Sequence, residues 1–263
     1  MENTKDLRLA VLIDADNISH VHVQAMLEEI AKYGVPTFKR IYGDWTSSRA
    51  NGWKNVLLEH AITPIQQYSY TKGKNASDSA LIIDAMDILY TSRVDGFCII
   101  SSDSDFTRLA TRLREAGMKV FGIGEKKTPT AFISACDKFI YIEILGRDDD
   151  EAEEDVKPSD SDTEIKSKSP VTTAKPKRAV EKIDRKLVKL FKDSINDIAD
   201  DDGWAFVGEL GNLINKKQPN FDPRIYGFKK LVPFLKAIKA IEVDERPAMA
   251  GKRNVTHVFV KVR

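Results

Sequence analysis

The chain has 263 residues, 42% apolar and 31% charged, with a formal net charge of +1. The length suggests one large domain or two modest ones, the apolar content is enough to build real cores, and the near-zero net charge hides an asymmetry along the chain. Its two cysteines, Cys98 and Cys136, are too few for a disulfide or metal framework. The opening MENTKDLRLAVLID lacks the apolar stretch of a signal peptide, and no window approaches the roughly 18 apolar residues of a membrane span, so a reducing, cytoplasmic setting is expected.

From the N-terminus, Leu9–Ile13 (LAVLI) is a continuous apolar run, the pattern of a central parallel strand buried on both faces. Val21–Tyr33 reads as an amphipathic helix closed by Gly34 and Pro36. Thr37–Tyr42 is a second strand, Arg49–His60 a helix, and Pro64–Tyr68 a short, more polar strand expected near a sheet edge. Ala76–Tyr90 is a strong helix, and Gly96–Ser101 a buried strand enclosing Cys98. Phe106–Ala116 is a helix ended by Gly117, followed by a strand at Met118–Ile123, a short helix near Ala131 and a last strand at Phe139–Ile144. Alternating strands and helices predict an α/β domain with a parallel sheet flanked by helices.

Residues 147–182 contain almost no large apolar residues. An acidic block is followed by a Ser/Thr/Pro/Lys block, so this stretch reads as a disordered linker between domains at 1–146 and 183–263. The charge is divided unevenly: residues 1–147 hold 18 basic and 18 acidic side chains, whereas residues 183–263 hold 16 and 11. The basic excess of the last third favours a polyanionic partner, although solubility alone also accounts for it. Helices are predicted at Arg185–Ile198, Phe206–Asn215 and Gly227–Ala240, then strands at Ala240–Asp244 and Val255–Val262. Three helices and a hairpin describe a winged helix-turn-helix.

Open α/β sheets place their chemistry at the C-terminal ends of the strands. Asp14, Asp16 and Asn17 follow the first strand, and Ser101, Ser102, Asp103 and Asp105 follow the GFCII strand. Asp78 opens the third helix. On a helical wheel it lies within about 60° of Leu81, Ile82, Ala85 and Leu89, whereas Asp84 and Asp87 lie about 120° and 180° away. Asp78 is therefore expected on the buried stripe, with Asp84 and Asp87 toward solvent. A buried carboxylate requires a partner. Gathered oxygen ligands suit hard Mg2+ or Mn2+, which can activate water and neutralise charge on a phosphodiester.

Other readings stand beside this one. Asp105 also fits a helix N-cap, Asp14 or Asp16 can cap the helix near Val21, and Asn17 can simply form a turn. Asp14-Ala-Asp16 mimics the nucleophile and acid of a haloacid-dehalogenase-type phosphatase, a scheme with no place for Asp78. A third possibility is a non-catalytic RNA-binding or scaffold protein. His20, His22 and His60 show no ligand spacing, and Gly122-Ile-Gly124 is too short for a nucleotide fingerprint.

The segments VLIDADNI (11–18), KGKNASDSALIIDAM (72–86) and IISSDSDFTRLATRLREAGMKVFGIG (99–124) together resemble the NYN domain of the PIN-like nucleases, in its LabA-like group. The resemblance covers about residues 7–145. It implies a PIN-like fold, a divalent-metal site on Asp14, Asp78, Asp103 and Asp105, and RNA cleavage. Residues 202–238 with the following hairpin look like an OST-HTH (LOTUS) domain, carried by Trp204, Val207, Leu210, Leu213, Ile214, the Asn220–Gly227 turn and Lys229-Lys230-Leu231. That resemblance implies RNA binding or protein docking.

Taken together, the residues point to a metal-dependent endoribonuclease with a tethered RNA-binding module. Asp16, Asn17, Ser101 and Ser102 would support its acids. Lys72 and Lys74 are expected near the site, and Lys216, Lys217, Arg224, Lys229, Lys230, Lys252 and Arg253 on the C-terminal module, as contacts to RNA phosphates. A solvated basic face explains the same lysines equally well. Tyr42, Trp45 and Arg49 are placed along the groove. Tyr226 and Phe221 fit base stacking, but a core role is favoured.

Overall fold

In the computed structural model, residues 6–47, 50–68, 76–146, 181–247 and 256–263 are described. The expected linker falls outside the described residues except for its last two. The first half runs β1 (Leu7–Asp14), α1 (Val23–Ala31), β2 (Gly34–Gly43), α2 (Asn51–Leu57), β3 (Thr63–Gln66), α3 (Ala76–Thr91), β4 (Gly96–Ile100), α4 (Thr107–Glu115), β5 (Lys119–Gly124), α5 (Thr130–Ala135) and β6 (Lys138–Tyr141). The strands form one parallel sheet in the order β3-β2-β1-β4-β5-β6. The short polar strand β3 is indeed at an edge.

The alternation of β1 explains the layering. Leu9, Val11 and Ile13 pack with Met26, Ile30 and Trp53 on one face of the sheet. Ala10 and Leu12 pack with Leu81, Ala85, Leu109 and Phe132 on the other. Both faces are buried, so the strand reads as unbroken apolar sequence. The two thiols, Cys98 and Cys136, are free and buried.

Several boundaries differ from expectation. The helix ends at Ala31, ahead of Gly34, but Gly34 and Pro36 already belong to β2, which starts three residues before the expected Thr37 and pairs with β1 from Leu7↔Gly34 onward. A Cβ at Gly34 would lie 2.3 Å from the Leu7 carbonyl oxygen, so the glycine serves the close approach of two strands. The last expected strand stops at Tyr141 and becomes a 3-10 turn at Ile142–Ile144.

The C-terminal part holds α6 (Arg185–Ile198), β7 (Ala205–Phe206), α7 (Val207–Lys217), α8 (Leu231–Ala237), β8 (Ile241–Pro247) and β9 (Thr256–Val262). Its three strands are ordered β7-β9-β8, antiparallel throughout. The two-residue β7 was not anticipated. The expected third helix is shorter because the backbone is extended at Lys230 and again at Ile238; ahead of it Pro223–Tyr226 forms a 3-10 turn that ends at Gly227, where φ is 84°. Phe191, Leu210, Ile214, Phe221 and Phe234 fill this core. No helix among the described residues is long and apolar enough to cross a membrane.

The two halves touch along β6. The Phe139 N–H donates to the Pro219 carbonyl at 2.9 Å. Asn220 donates to the Tyr141 hydroxyl at 2.8 Å, and Lys138 to the Asn215 side-chain oxygen at 3.3 Å. Ile225, from the second half, packs into the first half's core.

Candidate functional site

Asp14 ends β1, and its side chain is buried. Three donors hold it: the Asn17 side-chain amide at 2.6 Å, the Ser101 hydroxyl at 2.8 Å and the Asp16 N–H at 3.1 Å. The Ser101 oxygen also accepts the Asp103 N–H at 3.1 Å. Ser101 therefore ties the end of β1 to the loop after β4. Asp103 in turn caps the next turn, accepting the Asp105 N–H at 2.9 Å. The capping reading was thus correct in kind, but it belongs to Asp103 and not to Asp105.

Asp78 sits in the first turn of α3 and is 7% exposed, as its position on the wheel predicted. Burial, and then the charges of Asp14, Asp103, Asp105 and Asp16, push its pKa up to about 7. Carboxylate oxygens of Asp78, Asp103 and Asp105 lie within 4.8 Å of one another. Asp14 lies beside this trio, near enough to raise Asp78 electrostatically, but outside it. Burial outweighs the three hydrogen bonds to Asp14 and raises its pKa too.

The donor set fits a hard divalent cation: three carboxylates converge on one point, and their mutual repulsion is visible in Asp78. Asp16 is exposed and accepts the Ser77 hydroxyl at 3.0 Å, which joins the β1 loop to α3. Ser77 was missed by sequence reasoning, since a helix-start serine carries no signal of its own. Ser102 is buried and accepts the Glu125 N–H at 2.9 Å, joining the loops after β4 and β5. A Cβ at Gly124 would lie 2.5 Å from the Ser101 carbonyl oxygen, so a bare backbone is needed there.

Other expectations are corrected. Asp84 does not face open solvent: it is paired with Arg40 and accepts the Tyr42 hydroxyl, clamping α3 to β2. Tyr42 is fully buried and lines no groove. The Trp45 indole is tied to the Ile65 carbonyl at 2.9 Å.

Arg224 is not presented to an RNA backbone. Its guanidinium makes two bonds to Glu29, at 2.8 and 2.9 Å, and further bonds to Asp222. Lys217 is engaged by Asp197 and Ser194. Lys216, Lys229 and Lys230 are exposed. Phe221 and Tyr226 stack on each other against the second core, the favoured alternative. Arg49, Lys72, Lys74, Lys252 and Arg253 lie outside the described residues.

Comparison with known proteins bears on this geometry. The model of the NYN domain matches residues 8–143, and that of the OST-HTH/LOTUS domain matches residues 179–252. The six-stranded parallel sheet flanked by helices fits a PIN-like NYN fold, a nuclease-type domain, and OST-HTH domains bind RNA. No curated protein matches. Among solved structures, the chain is similar to a protein of unknown function from Vibrio parahaemolyticus, at 18% identity and a TM-score of 0.45, over 54% of this chain and 96% of that one. It is also similar to an uncharacterized protein from Nitrosomonas europaea, at 29% identity and a TM-score of 0.29, over 38% of this chain and 92% of that one.

Proposed function

We propose that this chain, which belongs to the NYN domain family, is a divalent-metal-dependent endoribonuclease carrying its own RNA-binding module. Three parts serve this: a catalytic unit at 1–146, a linker at 147–182 and an RNA-reading unit at 183–263. The observation that carries the reading is the convergence of Asp78, Asp103 and Asp105 within 4.8 Å at the C-terminal ends of parallel strands. These three would hold Mg2+ or Mn2+, with Asp14 completing the acid set. When bound, such an ion activates water and offsets the charge that builds on a phosphodiester.

The chain's own residues supply orientation. Asn17 and Ser101 fix the Asp14 carboxylate, and the Asp105 N–H fixes that of Asp103. Ser77 and Asp16 hold the start of α3 against the β1 loop, which sets where Asp78 points. Ser102 and Gly124 keep the neighbouring loops in register. Lys216, Lys229 and Lys230 would draw RNA, single-stranded or structured, by neutralising its phosphates. The helix-borne Asp78 distinguishes this site from a phosphatase's nucleophile-and-acid pair.

The test is cleavage of single-stranded and structured RNAs by the purified full chain with Mn2+. Asp103→Ala is expected to abolish cleavage and keep RNA binding. Absence of cleavage by the unaltered chain on every substrate overturns the enzymatic reading and leaves an RNA-binding scaffold.

A further inference from the structure

A cleft of about 350 Å3 opens where the two halves meet. Lys32 and Lys138 line it from the NYN side, and Asn215, Lys229 and Lys230 from the OST-HTH side. Lys138 opens the edge strand β6, whereas the clustered acids lie at the C-terminal ends of β1 and β4 and the start of α3. The cleft is therefore a separate place.

The carboxylates of this cleft are already satisfied. Glu29 accepts from Arg224 twice, from Lys32 and from the Tyr33 hydroxyl. Asp222 accepts from the Arg224 backbone and guanidinium. Lys138, Lys229 and Lys230 remain with no carboxylate in ion-pair contact among the described residues. Lys138 is the decisive one. Burial holds its amine below the ordinary lysine range, with the Asp222 charge opposing. Its ammonium nevertheless has one partner, the neutral Asn215 oxygen at 3.3 Å. An ammonium offers three donors, and Asn215 takes one of them, so the partly buried amine has donors left for a ligand in the cleft. The cleft lies at the small end of ligand sites, about 300–1,000 Å3, with room for a phosphate and its sugar.

We propose that this cleft binds a backbone phosphate of RNA between Lys138 of the NYN domain and Lys229 and Lys230 of the OST-HTH domain. The proposal rests on the RNA reading above and deepens it: the docked domains form one binding track, and the NYN domain contributes a cation far from its acids.

The experiment measures binding of a labelled single-stranded RNA oligonucleotide to the full chain by fluorescence anisotropy, in EDTA and at several salt concentrations. Lys138→Met is expected to weaken binding about 5- to 10-fold and to lower the log-log salt slope by about 0.7, one phosphate contact on single-stranded nucleic acid. Lys138→Arg retains binding. Lys230→Met, at an exposed position that folding does not need, repeats the loss. The double variant Lys138→Met/Lys230→Met loses less than the sum, because both residues serve one phosphate. Lys138→Met and Lys230→Met that both bind as the unaltered chain does, with an unchanged slope, overturn the cleft and leave the RNA reading standing. An unaltered chain that binds no RNA overturns the RNA reading itself. Displacement of the oligonucleotide by AMP or inorganic phosphate at concentrations near the RNA's own Kd makes the source a free phosphate compound and overturns RNA as the occupant.

Discussion

The Arg224 guanidinium grips the Glu29 carboxylate through two hydrogen bonds, 2.8 and 2.9 Å long, across 195 positions of chain. Glu29 is buried, and a third bond comes from Lys32. Removing the Glu29 charge leaves Arg224 paired with Asp222, so the loss is that of charge-assisted hydrogen bonds, about 1.5–3 kcal/mol. Glu29→Gln should therefore lower the stability of the full chain by about that amount in urea or heat. An unchanged midpoint would count against a structural role for this pair.

The same pair predicts a pH dependence. Burial alone would raise the Glu29 pKa, but the Arg224 and Lys32 hydrogen bonds outweigh it and hold it at about 2, against an ordinary 4.5. A carboxylate depressed on folding contributes stability fully above its unfolded pKa and loses that contribution as pH falls through the folded one. The Tm of the unaltered chain should thus fall between pH 4.5 and 2 more steeply than that of Glu29→Gln. Parallel curves would show that the two residues are not coupled in solution.

Metal should act most visibly on stability through Asp78. With EDTA present, Asp78→Asn should melt at or above the unaltered chain, since a like charge has left a crowded acidic site. With Mn2+ added, the unaltered chain should gain several degrees, and Asp78→Asn little or nothing. Differential scanning fluorimetry reads both arms, and a gain of equal size in both chains would move the metal elsewhere.

Ser101 is the bridge between Asp14 and Asp103, so its hydroxyl serves two acids at once. Ser101→Ala leaves buried Asp14 short of a donor and should cost about 1–3 kcal/mol. Cleavage should fall together with stability, while RNA binding in EDTA stays unchanged. Full activity in the alanine variant would show that the bridge is dispensable.

At Gly124 the expected defect is steric. The added methyl of Gly124→Ala meets the Ser101 carbonyl oxygen at 2.5 Å. Overpacking of this kind costs about 1–3 kcal/mol. Here the strain would fall on the loop that carries Ser101 and Asp103, so cleavage should drop further than the change in Tm implies. Turnover by Gly124→Ala compared with its urea midpoint gives the answer.

The parallel sheet was legible because strands buried on both faces must be apolar at every position, as in LAVLI and GFCII. Asp78 was legible because a helix has a fixed angular period, which set it on the same stripe as Leu81 and Ala85. That period failed for Asp84, whose partners Arg40 and Tyr42 lie on β2 and are chosen by tertiary packing. Arg224 failed for the same reason: a basic residue in a turn looks solvated until a carboxylate from α1 reaches it. The start of β2 was placed three residues late because Gly34 and Pro36 look like a turn by themselves and become strand only through pairing with β1. The two residues of β7 carry too little sequence to signal a strand and form one only because β9 lies alongside.

The Phe139 N–H on the outer side of β6 is taken by the Pro219 carbonyl. β6 is the last strand of its sheet, and an uncovered strand border invites pairing with another chain. The OST-HTH half therefore also covers the open flank of the NYN half. A chain stopped after residue 146 would bare that flank together with the apolar ground under Ile225, and should self-associate in solution. Separating the two halves by truncation would thus alter solubility as well as composition.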